Sequence, residues 1–222
     1  MNYMISTMNC AIETLSERQI FRYMGMKQDA DDSQLCASIK KYLPQFLNSV
    51  SGKACYMLVP VSVCEGVVDF GVFAVNSADL ARNLHGCEKA VIFAATLGMA
   101  QELQRKRAAI VSPVKSLIFD AMGSAAIEEL CDRVCNEIGL KNPSYQLRPR
   151  FSPGYGDFFL EHQRKVVDVL DAHRKIGITL SDGMLMIPQK SVTAVVGLSK
   201  IGCVKRIPDC ELCADLNCEF RL

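Results

Sequence analysis

The chain has 222 residues, of which 50% are hydrophobic, and its formal net charge is +1. This near-neutral charge argues against a nucleic-acid-binding protein, which would have a strong basic excess, and the sequence has neither an apolar run of about 18 residues nor an N-terminal secretory pattern. We therefore predict a cytoplasmic protein with no membrane partner. The length allows one substantial core, so we predict one domain over residues 1–202 and a cysteine-rich tail over 203–222.

The first half of the chain predicts a mixture of helices and strands. Apolar residues recur at helical spacing over 33–47, which we interpret as a surface helix. Two runs rich in β-branched and aromatic residues flank Glu65-Gly66 and indicate a β-hairpin. In chain order, the segments are a helix over 33–47, the two hairpin strands over 56–63 and 67–75, a short helix over 78–83, and a buried strand over 89–95. A further helical stretch begins after Thr96-Leu97-Gly98.

The longest helix is predicted between Ser112 and Gly139. Ser112 is a favourable N-cap with Pro113 in the first turn, and Gly139 is typical of a helix end. The predicted apolar stripe of this helix consists of Leu117, Ile118, Ala121, Ala125, Cys131, Val134, Cys135 and Ile138.

Glu128 is the exception on this stripe, since at 100° per residue it falls among the apolar positions. A carboxylate on an apolar face costs free energy unless it finds a partner. Two interpretations stay open: Glu128 contacts an arginine or a ligand ammonium, or it lies at the edge of the stripe and reaches water.

The last third predicts one more helix and a second hairpin. The helix covers 157–175, with Gly177 past its end, and two short strands follow over 184–187 and 191–197. Strands that fall in adjacent pairs are typical of an antiparallel sheet covered by helices. The predicted fold class is therefore α+β rather than a doubly wound α/β fold.

The segment Arg150-Phe151-Ser152-Pro153-Gly154-Tyr155 combines residue types that suit a polar ligand. Arg150 offers a rigid fork of donors that matches a carboxylate. The Pro-Gly turn allows a ligand to approach the backbone closely, and Tyr155 adds a flat face and a hydroxyl. By itself the segment is a weak signal, because most Pro-Gly pairs simply turn the chain.

The eleven cysteines fall into two groups. Seven are scattered through apolar segments, where cysteine behaves as a small hydrophobe, and the odd total argues against a disulfide framework. The other four have the spacing C-x6-C-x2-C-x4-C, which suits a tetrahedral zinc site or an iron-sulfur cluster. The alternative is four free thiols. These candidate metal ligands are Cys203, Cys210, Cys213 and Cys218.

An ordered set of motifs resembles the activation domain of cobalamin-dependent methionine synthase, the module that binds S-adenosylmethionine. In that family an Arg-Pro-x-Pro-Gly-Tyr run precedes a helix, a Gly-Ile/Met-x-Leu-Thr segment, a Met-x-Pro and a Ser-Val-Ser/Thr strand. The Pro-Ala-Cys-Pro that often follows the tyrosine is replaced here by Gly156-Asp157-Phe158-Phe159. The matching segments are 150–155, 176–181, 186–188 and 191–197, and segments 17–25, 94–98 and 119–126 resemble the separately encoded forms of the domain.

This resemblance implies a fold and a set of ligand contacts. The fold is a curved antiparallel sheet with flanking helices, in agreement with the α+β prediction. Arg150 would hold the methionine carboxylate, Glu128 the amino group, and the backbone of Ser152 and Gly154 would contact the ligand. Tyr155 would line the methyl-donor site that faces the corrinoid. The family also uses an N-terminal acidic residue, which has no assigned position here.

The resemblance also implies a function. The sequence has no corrinoid-binding motif and no homocysteine-zinc or folate domain, so we expect an accessory component and not a complete enzyme. Our leading hypothesis is a stand-alone reactivation subunit. It would bind S-adenosylmethionine and support reductive methylation of the cobalamin of a separate methionine synthase or related corrinoid protein, with an electron from an external donor. The alternative is a sensor of S-adenosylmethionine, or a structural subunit, without a role in methyl transfer.

Overall fold

The computed structural model describes residues 3–26 and 33–200. The strands in chain order are β1 (Ile5–Ala11), β2 (Ser51–Pro60), β3 (Ser62–Cys64), β4 (Val67–Asp69), β5 (Ala74–Asn76), β6 (Lys89–Thr96), β7 (Tyr145–Leu147), β8 (Thr179–Leu180), β9 (Met186–Ile187) and β10 (Ser191–Lys200). The helices are α1 (Glu17–Tyr23), α2 (Ser33–Leu47), α3 (Ala78–Asn83), α4 (Gly98–Val111), α5 (Pro113–Lys141), α6 (Gln163–Val169) and α7 (Ala172–Ile176). A 3₁₀ helix at Leu160–His162 precedes α6.

The main sheet has five strands in the order β1-β2-β6-β10-β7, and every neighbouring pair is antiparallel. Two smaller antiparallel sheets, β3-β4-β5 and β8-β9, lie outside it. The α+β prediction is therefore confirmed. Across residues 3–26 and 33–200, we find no helix with the length and apolar character that a membrane span requires.

The sheet is covered on both faces. Side chains alternate between the two faces along its central strands, so neighbouring residues belong to different cores. On β6, Val91 and Phe93 belong to one apolar core, which α1, α2 and α5 cover, while Ile92 and Ala94 belong to a second core. The second core is closed by α3, α6, α7 and the β3-β4-β5 sheet. Both cores depend on β6, which is the strand predicted to be buried.

The boundaries of α2 and α3 agree with the prediction, and α5 agrees at its start but not at its end. The Ser112 hydroxyl accepts a hydrogen bond from the Lys115 amide at 3.4 Å, as an N-cap does. The predicted end at Gly139 is wrong. The helix continues to Lys141, and the Asn142 side chain then donates to the Ile138 carbonyl at 2.9 Å. An asparagine therefore ends this helix, with no left-handed glycine needed.

One member of the predicted apolar stripe of α5 is also wrong. Leu117 is exposed, whereas Ile118, Ala121, Ala125, Cys131, Val134 and Ile138 are buried and Cys135 is half-buried. Leu117 lies in the first two turns of α5, one residue before the buried Ile118.

The first hairpin is shorter than predicted, because its first strand belongs mainly to the main sheet. Residues 51–60 form β2, which pairs with β1 and β6. Only β3 and β4 form the hairpin around Glu65-Gly66, and both turn residues have positive φ, 50° and 81°. Two successive positive φ values are typical of a tight two-residue hairpin turn.

The predicted continuous helix over 157–175 is wrong. Asp157 lies in a turn, the first helical turn begins at Leu160, and the chain breaks at Asp171, whose φ is +49°. The carboxylate of Asp157 is used elsewhere, at the start of α3. Gly177 does end α7, with φ +78°, as predicted.

The predicted hairpin between 184–187 and 191–197 is also wrong. The short strand β9 pairs with β8, whereas β10 pairs with β6 on one side and β7 on the other. Nearly all of β10 is buried, so it takes a central position in the main sheet. Local sequence order does not determine that partner choice.

Candidate functional site

The loop over 150–155, which was predicted to suit a polar ligand, is anchored to the main sheet. Phe151 forms a β-bridge with Val195 of β10, through backbone hydrogen bonds of 2.9 and 2.8 Å. The backbone next to Arg150 is therefore fixed to β10, a central strand of the main sheet. A side chain fixed in this way loses less entropy when it binds a ligand.

The Pro-Gly turn closes on itself through backbone hydrogen bonds. The Gly154 amide donates to the Phe158 carbonyl at 2.7 Å, and the Tyr155 amide donates to the Ser152 carbonyl at 3.2 Å. Gly154 has φ +100°, a conformation that favours glycine. Because its amide is already used, Gly154 would contact a ligand through its carbonyl oxygen. The roles assigned to Ser152 and Gly154 stay predictions.

Asp157 attaches the far end of this loop to α3. One carboxylate oxygen accepts from the Ser77 hydroxyl at 2.5 Å and from the Asp79 amide at 3.1 Å, and the other accepts from the Ala78 amide at 2.7 Å. The hydrogen bond from Ser77 and those from the backbone hold the pKa of Asp157 below its usual value. The loop thus has two fixed ends, one on β10 and one on α3.

Arg150 forms ion pairs with two carboxylates of α5. Its Nη2 lies 2.8 Å from Glu128 Oε2, and its Nη1 lies 2.6 Å from Asp132 Oδ1. Glu128 therefore does meet an arginine, as one of the two interpretations predicted. The neighbouring Glu129 points elsewhere and pairs with Arg133 at 2.8 Å. Of these two glutamates, Glu128 is the one that contacts Arg150, and its role toward a ligand stays a prediction.

Asp132 is a site residue that our sequence analysis missed. It lies four residues after Glu128, and residues at this spacing lie on the same face of a helix. That spacing was the available signal. The resemblance did not draw attention to it, because it implied only a single glutamate on this helix.

Two tyrosines complete the site. Tyr155 is 63% exposed. Tyr23, at the end of α1, is half-buried, and the charges of Glu128 and Arg150 act on its hydroxyl. Burial first, and then the negative charge of Glu128, raise the pKa of Tyr23. We call Arg150, Glu128, Asp132, Tyr23 and Tyr155 the Arg150 cluster.

The charged groups of the cluster are accessible to a ligand. The side chains of Arg150, Glu128 and Asp132 are 27%, 37% and 55% exposed. The site is an open surface. Two pockets lie elsewhere: one of about 390 Å³ includes Ala100, Leu103 and Phe119 in its wall, and one of about 490 Å³ includes Ile12, Leu43 and Leu47. Neither contains a member of the Arg150 cluster.

Cys131 and Cys135 lie close enough to the Arg150 guanidinium to interact with it. Burial raises the pKa of both thiols, although the nearby arginine opposes this effect. They therefore stay protonated at neutral pH. Within residues 3–26 and 33–200, no group of histidines, cysteines and carboxylates could hold a metal ion. The predicted ligands Cys203, Cys210, Cys213 and Cys218 lie outside the described residues, so that site stays a prediction.

Comparisons with known proteins agree with the fold. No family model matches the chain, and no curated protein matches its sequence. Among solved structures, the chain is similar to the MetH reactivation domain bound to AdoHcy, with a TM-score of 0.70 and 12% sequence identity. The match covers 91% of this chain and 81% of that one. At this identity the likeness shows that the two chains share the α+β fold.

Proposed function

We propose that the chain binds S-adenosylmethionine at the Arg150 cluster and supports reductive methylation of the cobalamin held by a separate methionine synthase or related corrinoid protein. The observation that carries this proposal is the accessible arginine flanked by two carboxylates. It lies in a fold shared with a reactivation domain that has been crystallised with AdoHcy.

The cluster is complementary to the amino-acid end of the ligand. S-adenosylmethionine presents a carboxylate and an ammonium on one carbon atom, and the cluster presents a guanidinium beside carboxylates. The planar guanidinium can bind the ligand carboxylate through two hydrogen bonds, and a carboxylate released from Arg150 can accept the ammonium. Binding then exchanges one set of ion pairs for another: Arg150 pairs with the ligand carboxylate, and one protein carboxylate pairs with the ligand ammonium.

Tyr155 provides the surface on which the methyl group would be presented. Its ring is exposed, and Phe159 and Leu160 beside it are exposed too, so a partner protein can approach this side. In the reaction, one external electron reduces cobalt(II) to cobalt(I), whose electron pair attacks the methyl carbon as the carbon–sulfur bond breaks and its electrons return to sulfur. The chain itself would contribute to the reaction by orienting the sulfonium relative to the cobalt. The open surface around Tyr155 favours this role over that of a closed sensor pocket.

The first test is calorimetric titration of the anaerobically purified protein with S-adenosylmethionine, beside an Arg150→Ala variant. We expect saturable binding that weakens about 10- to 100-fold in the variant, because it loses a charged hydrogen-bonding partner worth about 1.5–3 kcal/mol. Arg174→Ala is the matched control, since Arg174 is an exposed arginine of α7 whose ion pair is with Asp171, three residues earlier.

If the wild-type protein and Arg174→Ala bind S-adenosylmethionine and Arg150→Ala binds it more weakly, a cobalt(II) corrinoid partner and a reductant are added next. Methylcobalamin is then the product to be measured. Absence of binding by the wild type at millimolar ligand would overturn the proposed ligand. Binding without methylcobalamin formation would instead support the sensor.

A further inference from the structure

The Arg150 cluster contains more negative than positive charge. Arg150 contributes one positive charge, and Glu128 and Asp132 each contribute one negative charge, so this ion-paired group has an excess of one negative charge. From this imbalance we infer that Asp132 makes the site select a sulfonium ligand over the corresponding thioether. The inference rests on the proposed function and names the feature of the ligand that the site recognises.

The geometry makes both carboxylates part of one unit. They bind different nitrogens of the same guanidinium, at 2.8 and 2.6 Å, and they project from adjacent turns of α5. Residues 125–127 and 130–131 around them are buried, so the helix cannot shift easily. A ligand carboxylate that binds Nη1 and Nη2 together therefore displaces at least one of these two groups.

The charges of the bound state follow from this exchange. The ligand carboxylate pairs with Arg150, and the ligand ammonium pairs with one of the two protein carboxylates. The other protein carboxylate then has no charged partner unless the ligand carries a second positive charge. S-adenosylmethionine carries it on sulfur, whereas S-adenosylhomocysteine, a neutral thioether there, does not.

This arrangement also favours release of the demethylated product. Once sulfur has lost its positive charge, one carboxylate is left without compensation, and the pairing of Arg150 with both carboxylates becomes the better alternative. Asp132 is the more exposed carboxylate, at 55% against 37% for Glu128, and so it is the one more easily displaced from Arg150. We assign the selectivity to Asp132 for this reason.

Other charged residues surround the cluster but do not distinguish the two ligands. Glu129 and Arg133 neutralise each other at 2.8 Å, and Arg22 lies beside Tyr23 on α1, where it also acts on that hydroxyl. These groups are the same whichever ligand is bound. Comparing two ligands on one variant therefore isolates the contribution of the residue that has been changed.

The test measures the dissociation constants of S-adenosylmethionine, S-adenosylhomocysteine and sinefungin by calorimetry at low ionic strength. Sinefungin carries an ammonium in place of the sulfonium and cannot donate a methyl group. For the wild type we expect both positively charged ligands to bind at least about fivefold more tightly than the thioether, a modest effect because the groups are partly exposed. Added salt should reduce this ratio.

The informative variant is Asp132→Asn, and Glu129→Gln is its control. Both remove one negative charge from α5, but only Asp132 contacts Arg150. We expect the ratio to fall to about one in Asp132→Asn and to persist in Glu129→Gln. Thermal melting of both variants checks that the fold is retained, and Asp132→Glu should restore the ratio.

The outcomes separate this inference from the proposed function. If the wild type binds the charged ligands and the thioether equally, or if Asp132→Asn keeps the full ratio, the inference is overturned while ligand binding stands. If the wild type binds none of the three ligands, the proposed function itself fails.

Discussion

Asp157 shows how one side chain can hold a functional loop in place. Its carboxylate accepts three hydrogen bonds from the start of α3, including one from the Ser77 hydroxyl, and this lowers its pKa. Our sequence analysis assigned Asp157 to the start of a helix in its own segment. It instead caps a helix nearly 80 residues earlier in the chain, a role that no local pattern reveals.

We predict that Asp157→Asn lowers the melting temperature at pH 7, because an amide nitrogen cannot accept the hydrogen bonds that an oxygen accepts. Since the pKa of Asp157 is lower in the folded than in the unfolded state, its contribution is present above the unfolded-state value of about 4. That contribution is lost as the pH falls through the folded-state pKa. The difference between wild type and variant should therefore narrow below about pH 4, as followed by circular dichroism.

Asp168→Asn is the control for this prediction, since Asp168 is exposed on α6. A difference between wild type and Asp157→Asn that stays constant from pH 7 down to pH 2 would contradict the account.

At the scale of elements, glycines with positive φ shape the backbone in the loop from Arg150 to Asp157 and at the end of α7. Gly156 has φ +53°, and a Cβ atom there would collide with the Asp79 side chain. Gly177 has φ +78°, but a Cβ atom there would meet nothing within 4 Å. An alanine at Gly177 therefore introduces backbone strain alone, whereas an alanine at Gly156 introduces both backbone strain and a steric collision.

We predict that Gly177→Ala destabilises the protein by about 1–2 kcal/mol, the cost of a left-handed backbone for a residue with a side chain. Gly156→Ala should cost more, because Asp79 must also move, and it should weaken ligand binding by displacing Tyr155. Urea denaturation and calorimetry measure the two effects. Equal destabilisation by both variants would argue against the collision.

The helix α5 carries the carboxylates of the site, and its sequence indicated part of this. The apolar stripe located the buried face, and Glu128 was conspicuous because it interrupted that face. Its partner could not be identified in the same way. Arg150 is 22 residues further along the chain, and only the pairing of β7 and the Phe151 bridge with β10 bring it back to α5.

At the scale of the whole molecule, one strand connects two cores. Phe93 and Ile92 are adjacent on β6, are both fully buried, and belong to opposite faces of the sheet. If the helices on one face of the sheet lose their packing, β6 becomes exposed on that face. The core on the other face is then destabilised too, because β6 is part of both cores. The described part of the chain should therefore unfold as one unit.

We predict that Phe93→Ala costs about 3–5 kcal/mol and Ile92→Ala about 2–5 kcal/mol, and that both variants still unfold in a single transition. Far-ultraviolet and near-ultraviolet circular dichroism in urea should give coincident midpoints for each variant. A conservative Ile92→Val substitution, at about 0.5–1.5 kcal/mol, tests whether the loss scales with the volume removed. Two separate transitions in either variant would show that the cores are independent.

The sequence by itself determined the fold class, the helices α2 and α3, the start of α5, the buried strand β6 and the ligand-binding residue types of segment 150–155. These are local properties, because hydrophobic periodicity and capping residues act within a few residues of one another. Tertiary structure alone decided that β10 pairs with β6 and β7, that Asp157 caps α3, and that Asp132 joins Glu128 on Arg150. Each of these depends on which distant surfaces bury one another, and a polar group takes whichever partner that packing brings within reach.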